Sequence, residues 1–276
     1  MLVELAVGDA YGAGFEYAPP AFVATHNTLQ GYVQHPTHGG APGTYTDDTQ
    51  MTLAVAELLV DATPWTPAAL AEKFVEVFHR DQRPGYAGSF QQFLTEVRSG
   101  DEFLHRIRPD SDKSGAAMRA GPLGLLPTVA DVLHYADVQA RVTHNTPDGV
   151  EAAQAAALAV HYSQFAEGPL AEVGTWIDRQ LGTDRWATPW QGKVGPKGWM
   201  SVRAALTALG SSSRMSGILA ACVAFTGDVD TVATVALAAA ARSAEVEQDL
   251  PAVLVDGLEN GPYGRDYLRL LDDRLP

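Results

Sequence analysis

A single cysteine, Cys222, occurs among the 276 residues, so no disulfide can form within the chain. It sits in an apolar run and reads as a small buried hydrophobe, which fits a cytoplasmic setting. Charge is sparse at 19% and mostly of one sign: 33 acidic against 19 basic residues leave a net charge of −14. That balance disfavours non-specific attraction to a phosphate backbone, yet leaves room for a local basic pocket around one small anion. No apolar run is long enough to span a bilayer, and Met1-Leu2-Val3-Glu4-Leu5 lacks the basic leader of a signal peptide. Alternating strand patterns are missing as well. Nearly every periodic segment has helical spacing, and 46% hydrophobic residues supply a large core. The expected fold is therefore all-α, a compact single-domain multi-helix bundle over residues 1–276.

The most informative stretch is Gly43-Thr44-Tyr45-Thr46-Asp47-Asp48-Thr49-Gln50-Met51. From Thr49 onward, Met51, Ala54, Val55, Leu58 and Leu59 fall at helical spacing, which places Asp47 and Asp48 in the first helical turn or just before it. An N-cap explains one oxygen-bearing side chain there. Thr46, Asp47, Asp48 and Thr49 offer four, and the surplus suggests a hard cation. A second cluster, Thr226-Gly227-Asp228-Val229-Asp230-Thr231, precedes another helical run with Val232, Val235, Ala236, Ala239 and Ala240. If the two clusters converge, helix dipoles keep their carboxylates ionised. Oxygen-only donors then favour two divalent cations, Mg²⁺ or Mn²⁺, over Zn²⁺. Such a binuclear centre activates water and marks a hydrolase. Two unrelated acidic caps are the alternative.

Other segments carry weaker signals. The glycines of Val7-Gly8-Asp9-Ala10-Tyr11-Gly12-Ala13-Gly14-Phe15-Glu16 lack the Gly-Lys-Ser/Thr ending of a phosphate loop. Gly8 and Gly12, four apart, suit close approach of a second helix. Residues 19 to 45 read as a long connection in which His35 and His38 are loop residues. Helices are expected over 50–60 and 67–80, both amphipathic. Gly85 and Tyr86 lie in the turn that follows and count as candidate substrate-binding residues. The small-residue run Ser114-Gly115-Ala116-Ala117-Met118-Arg119 allows either close helix packing or close approach of a ligand. His144, in Thr143-His144-Asn145, either braces its loop or faces a substrate. Trp176, Trp186, Trp190 and Trp199 form either a stacking rim or part of the core.

Taken in order, Gly8-Asp9-Ala10-Tyr11-Gly12 with Glu16, Tyr45 to Met51, Ser114 to Arg119, Thr143-His144 and Gly227 to Thr231 resemble the motifs of the ADP-ribosylglycohydrolase family. The resemblance runs from residue 8 to about 242, and Gly264-Arg265-Asp266-Tyr267-Leu268 is similar to family C-termini. It implies an all-α hydrolase with a binuclear Mg²⁺ or Mn²⁺ centre that cleaves a glycosidic bond of ADP-ribose. Carried over, Thr46, Asp47, Asp48, Asp228, Asp230 and Thr231 are metal ligands, and Asp47, Asp48 and Asp230 also belong to the catalytic set. Glu16 matches an acidic residue that serves as gate or acid/base. Ser114, Gly115, Ala116 and Met118 match the loop that holds ribose and diphosphate, and His144 a substrate-side histidine. Thr226 and Ser114 depart from the usual glycine and asparagine or cysteine. The implied partner is an ADP-ribosylated protein, arginine-linked by preference, or a small ADP-ribose conjugate. ADP-ribosylated nucleic acid and a non-catalytic binding role are the alternatives, and a monomer with no membrane association is expected.

Overall fold

Hydroxyl side chains and prolines set where the helices begin. Thr46, Thr66, Ser99, Thr128 and Thr146 stand in extended backbone and each accepts a hydrogen bond from a backbone N–H two or three residues on. Pro67 and Pro147 follow at the first helical position, where a missing N–H is harmless.

The computed structural model describes residues 1–38 and 40–276. Among them it places fifteen α-helices. The first half contains α1 (Leu2–Ala13), α2 (Pro20–His26), α3 (Asp47–Val60), α4 (Pro67–Arg80), α5 (Gly88–Glu96), α6 (Gly100–Arg106), α7 (Gly115–Met118) and α8 (Val129–Arg141). The second half adds α9 (Pro147–Phe165), α10 (Val173–Leu181), α11 (Gly198–Leu209), α12 (Met215–Ala224), α13 (Val229–Ala240), α14 (Ala252–Gly257) and α15 (Arg265–Asp272). Strand pairing among the described residues is confined to isolated bridges such as Asp110 with His144 and Val194 with Gly227. The fold is all-α, as the periodicity predicts, and among the described residues no helix is long and apolar enough to cross a membrane.

Two helices form the centre. Every residue of α13, and every residue of alanine-rich α9 from Ala155 to Ser163, is enclosed by neighbouring helices, which explains why these stretches lack a polar face. Asp148, Glu151 and Gln154 leave the start of α9 partly exposed. α1 lies along α13, and the two backbones approach through Gly8 and Gly12. A Cβ at Gly8 would come 2.9 Å from the Ala233 carbonyl oxygen.

The helix expected to be amphipathic over 50–60 instead begins at Asp47 and is buried through Leu58, because α1, α4 and α13 all pack on it. α4 is amphipathic as expected, burying Leu70, Ala71, Phe74, Val75, Val77 and Phe78. The connection expected over 19 to 45 contains α2, started by Pro20. Trp176 and Trp186 are core residues, while Trp190 and Trp199 meet edge to face at 5.7 Å beside the core. Glu57 of α3 ties three helices together: it takes hydrogen bonds from Arg80 and Lys73 of α4 and from Tyr267 of α15.

Candidate active site and metal centre

The first acidic cluster is built on Asp9, a fully buried residue of α1. Its carboxylate accepts four hydrogen bonds: Thr46 N at 2.9 Å, Thr46 Oγ1 at 2.7 Å, Thr49 N at 2.9 Å and Thr49 Oγ1 at 2.6 Å. The two threonine hydroxyls thus serve Asp9, and the Thr46 oxygen additionally caps Asp48 N at 3.3 Å. Asp47 and Asp48 are left to turn elsewhere. Room for Asp47 comes from Gly85, at φ +108°, where a Cβ would stand 3.1 Å from Asp47 Cγ and closer still to Oδ1. Asp47 N donates to the Pro84 carbonyl at 3.0 Å. The Tyr86 hydroxyl anchors that turn by donating to Gln50 Oε1 at 2.6 Å.

The second cluster is presented by a turn that reverses into α13. Thr226 and Gly227 both have positive φ, +64° and +92°. Thr226 N lies outside the contact with Val194, but its carbonyl accepts from Val194 N at 3.0 Å, and Asp228 N donates to the Val194 carbonyl at 3.3 Å. A left-handed β-branched residue is strained. Glycine would suit the position, which is the residue the resemblance leads one to expect there. Ser201 Oγ donates to Asp228 Oδ2 at 2.6 Å, Thr231 Oγ1 to Asp228 Oδ1 at 3.4 Å, and Thr231 N to Asp230 Oδ1 at 3.0 Å.

The fold brings these clusters to one place. Glu16, Asp228 and Asp230 offer carboxylate oxygens that all lie within 4.8 Å of one another. Burial first, and then the charges of neighbouring carboxylates, holds Asp47, Asp48 and Asp230 well above the ordinary aspartate range. Burial together with Asp228 and Asp9 pushes Glu16 up to about 7. Asp48 Oδ1 is buried with no hydrogen-bond partner among the described residues. An orphaned carboxylate oxygen inside a nest of carboxylates is a poor arrangement for the protein alone and a good one around a hard cation. The donors are oxygens, which suits Mg²⁺ or Mn²⁺.

A cavity of about 680 Å³ opens over the cluster. Of the residues expected from the sequence, Glu16, Asp47, Asp48, Asp228, Asp230 and Thr231 line it, together with Gly85, Tyr86, Ser114, Gly115, Met118 and His144. Two do not. Thr46 faces a smaller neighbouring cavity of about 330 Å³, and Ala116 is buried behind the loop, its carbonyl accepting from Gln139. The four tryptophans 176, 186, 190 and 199 are absent from the lining. His144 is buried, and burial, then the charges of Arg119 and Lys113, depresses its imidazolium to about 3. Arg108 and Lys113 add an exposed basic edge to the cavity.

Sequence reasoning gave no role to Asp9, Ser201 or Arg119. Asp9 belongs to the Gly8 to Gly12 motif, but nothing in its spacing reveals that it braces a segment 37 residues away.

The ADP-ribosylglycohydrolase family model matches residues 1–276. The chain belongs to the ADP-ribosylglycohydrolase family. Among curated members, ADP-ribosylhydrolase ARH3 of Xenopus tropicalis is 31% identical over 147 residues, 50% of this chain and 41% of that protein. ADP-ribosylhydrolase ARH3 of Danio rerio is 30% identical over 192 residues, 65% of this chain and 50% of that protein. ADP-ribosyl-[dinitrogen reductase] glycohydrolase of Rhodospirillum rubrum is 34% identical over 155 residues, 52% of this chain and 49% of that protein. The matched segments thus span about half the length of these relatives. A solved chain described as an ADP-ribosylglycohydrolase-related protein complex superposes with a TM-score of 0.74 at 24% identity, covering 99% of this chain and 94% of that one. That likeness establishes the shared fold.

Proposed function

We propose that the protein is a metal-dependent ADP-ribosyl hydrolase, a single catalytic domain that cleaves the bond between the anomeric carbon of ADP-ribose and a protein side chain, arginine-type by preference. The observation that carries this reading is the convergence of Glu16, Asp228 and Asp230 with Asp47 and Asp48 at the floor of one cleft. Asp47, Asp48, Asp228, Asp230, Thr231 and Thr46 are the residues to hold two divalent cations. When bound, these supply Lewis acidity and lower the pKa of water.

The chain's own residues do the rest. The carboxylates favour an oxocarbenium-like transition state, in which positive charge develops at the anomeric carbon. Glu16, whose carboxylate lies among those of Asp228 and Asp230, is placed to hold or release a proton at the site, as attack by water and departure of the leaving group require. The Ser114 to Met118 loop, made of small residues, lets backbone come close to ribose and diphosphate. Gly85 and Tyr86 wall the site beside Asp47. The carboxylate-lined cleft favours a cationic guanidinium over a neutral leaving group.

The test is hydrolysis of arginine-, serine-, nucleobase- and O-acetyl-linked ADP-ribose with Mg²⁺, with Mn²⁺ and after chelation. Fastest turnover of the arginine linkage, lost on chelation, is expected. Activity that survives full chelation would end the binuclear reading, and faster turnover of another linkage would end the arginine preference.

A further inference from the structure

Arg119 is 1% exposed, yet it forms no ion pair among the described residues. Neutral groups take Nε and Nη2 instead. Nε donates to Gln139 Oε1 at 2.7 Å, and Nη2 donates to the Gln139 carbonyl at 3.1 Å and to Thr143 Oγ1 at 2.8 Å. The Phe74 ring covers the guanidinium, 4.4 Å from Cζ to the centroid. Thr143 Oγ1 lies in turn 2.7 Å from His144 Nδ1. A buried cation without a counter-charge is an expensive way to fill space. Arg119 and Thr143 reach the cleft wall beside His144, and that position gives the cation a use.

We propose that Arg119 and Thr143 are positioning residues for His144, holding its imidazole neutral with the proton on Nε2, so that the ring offers the cleft a hydrogen-bond donor. Hydrogen counting assigns the direction. Arg119 occupies one lone pair of Thr143 Oγ1, and among the described residues the threonine proton then has one acceptor in reach, His144 Nδ1. A proton on Nδ1 would strand that buried hydroxyl without an acceptor. The charge of Arg119 opposes a second proton on the ring. Gly115 fixes where the donor edge points: a Cβ there would stand 3.0 Å from His144 Cε1 and 3.2 Å from Nε2, so the Nε2 edge faces the small-residue loop. Gln139 joins the relay to the same loop by donating from Nε2 to the Ala116 carbonyl at 2.9 Å. His144 is thereby a donor to an acceptor oxygen of the ligand, a ribose hydroxyl or a phosphate, and takes no part in proton transfer. The identity of that oxygen rests on the ADP-ribosyl reading above, but the tautomer does not.

The experiment is two-bond ¹H–¹⁵N correlation of the ¹⁵N-histidine-labelled protein at pH 7, without substrate. Its 8 histidines are sorted by the signal lost in His144→Asn. Wild type and Thr143→Ser should carry the His144 proton on Nε2. Thr143→Val should show a mixed or Nδ1-protonated ring, with KM on any turned-over conjugate raised about tenfold and kcat nearly unchanged, the factor that one neutral hydrogen bond carries. A wild-type ring protonated on Nδ1, or a Thr143→Val ring identical to wild type, would overturn the assignment. The wild-type spectrum decides by itself should Thr143→Val fail to fold. An inactive protein with the Nε2 tautomer would refute the substrate class and leave the relay standing.

Discussion

Substitution of Gly12 by alanine probes how packing sets the site. A Cβ at Gly12 would stand 2.7 Å from Asp230 N and 2.9 Å from the Val229 carbonyl oxygen, and nearer still to Asp230 Cα. These neighbours are backbone atoms at the start of α13, so α1 and α13 must part by roughly 1 Å to restore ordinary contact. Overpacking of this kind costs about 1–3 kcal/mol, and alanine's better helix propensity offsets up to about 1 kcal/mol. The expected net loss of about 1–2 kcal/mol lowers Tm by about 2–8 °C for a chain of this size. Asp228 and Asp230 ride on the displaced segment, and a misplacement of roughly 1 Å lowers kcat/KM on the order of a hundredfold. Gly8→Ala is the control: its Cβ meets Ala233 O at 2.9 Å and Leu237 Cδ1 at 2.8 Å, farther along α13 from the carboxylates. It should lose comparable stability and less activity. Calorimetry and hydrolysis of ADP-ribosyl-arginine read both. A Gly12→Ala protein with wild-type Tm and rate, or a Gly8→Ala protein that loses as much activity, would refute the reasoning.

Further outcomes follow from the same geometry. The folded state raises the Asp48 carboxyl, which penalises folding above the ordinary aspartate pKa when no cation is bound. Asp48→Asn should therefore raise Tm in chelator, while a cation at about 100-fold over its Kd should stabilise wild type by about 2.7 kcal/mol and this variant far less. Gly85→Ala forces a Cβ into the Asp47 carboxylate at φ +108° and should cost about 1–3 kcal/mol and abolish the cation-dependent Tm shift in calorimetry. Burial pushes the Glu57 carboxyl up, but hydrogen bonds from Arg80 and Tyr267 and the charges of Arg80 and Lys73 outweigh it and hold the carboxyl below the usual value. Its stabilisation is thus full above the ordinary glutamate pKa and lost as pH falls through the lower folded value. Glu57→Gln should cost about 3–5 kcal/mol in urea unfolding at pH 7, with the gap to wild type narrowing in acid. Thr226→Gly relieves about 1–2 kcal/mol of left-handed strain against an entropic cost up to about 1 kcal/mol, so its urea midpoint should equal or exceed that of wild type.

The helical fold and both acidic helix starts were legible in the sequence, because 3.6-residue periodicity and capping chemistry are local. The close approach allowed by Gly8 and Gly12 was legible for the same reason, through their spacing of four. What periodicity could not reveal is long-range pairing. The burial of α3 depends on three other helices, and the convergence of Asp47 and Asp48 with Asp228 and Asp230 depends on the path of the chain between them. The roles of Asp9 and Arg119 follow from contacts 37 and 24 residues away, and a sequence window shows neither.

α1 acts as the gauge of the site. Through Asp9 it grips the start of α3, and through Gly12, one turn along, it rests against the start of α13. The gap between the two acidic helix starts is therefore fixed by a helix whose own carboxylate at Asp9 is turned away from the cleft. The spacing of the two acidic helix starts can be altered by editing this spacer alone, with every residue that lines the cleft unsubstituted.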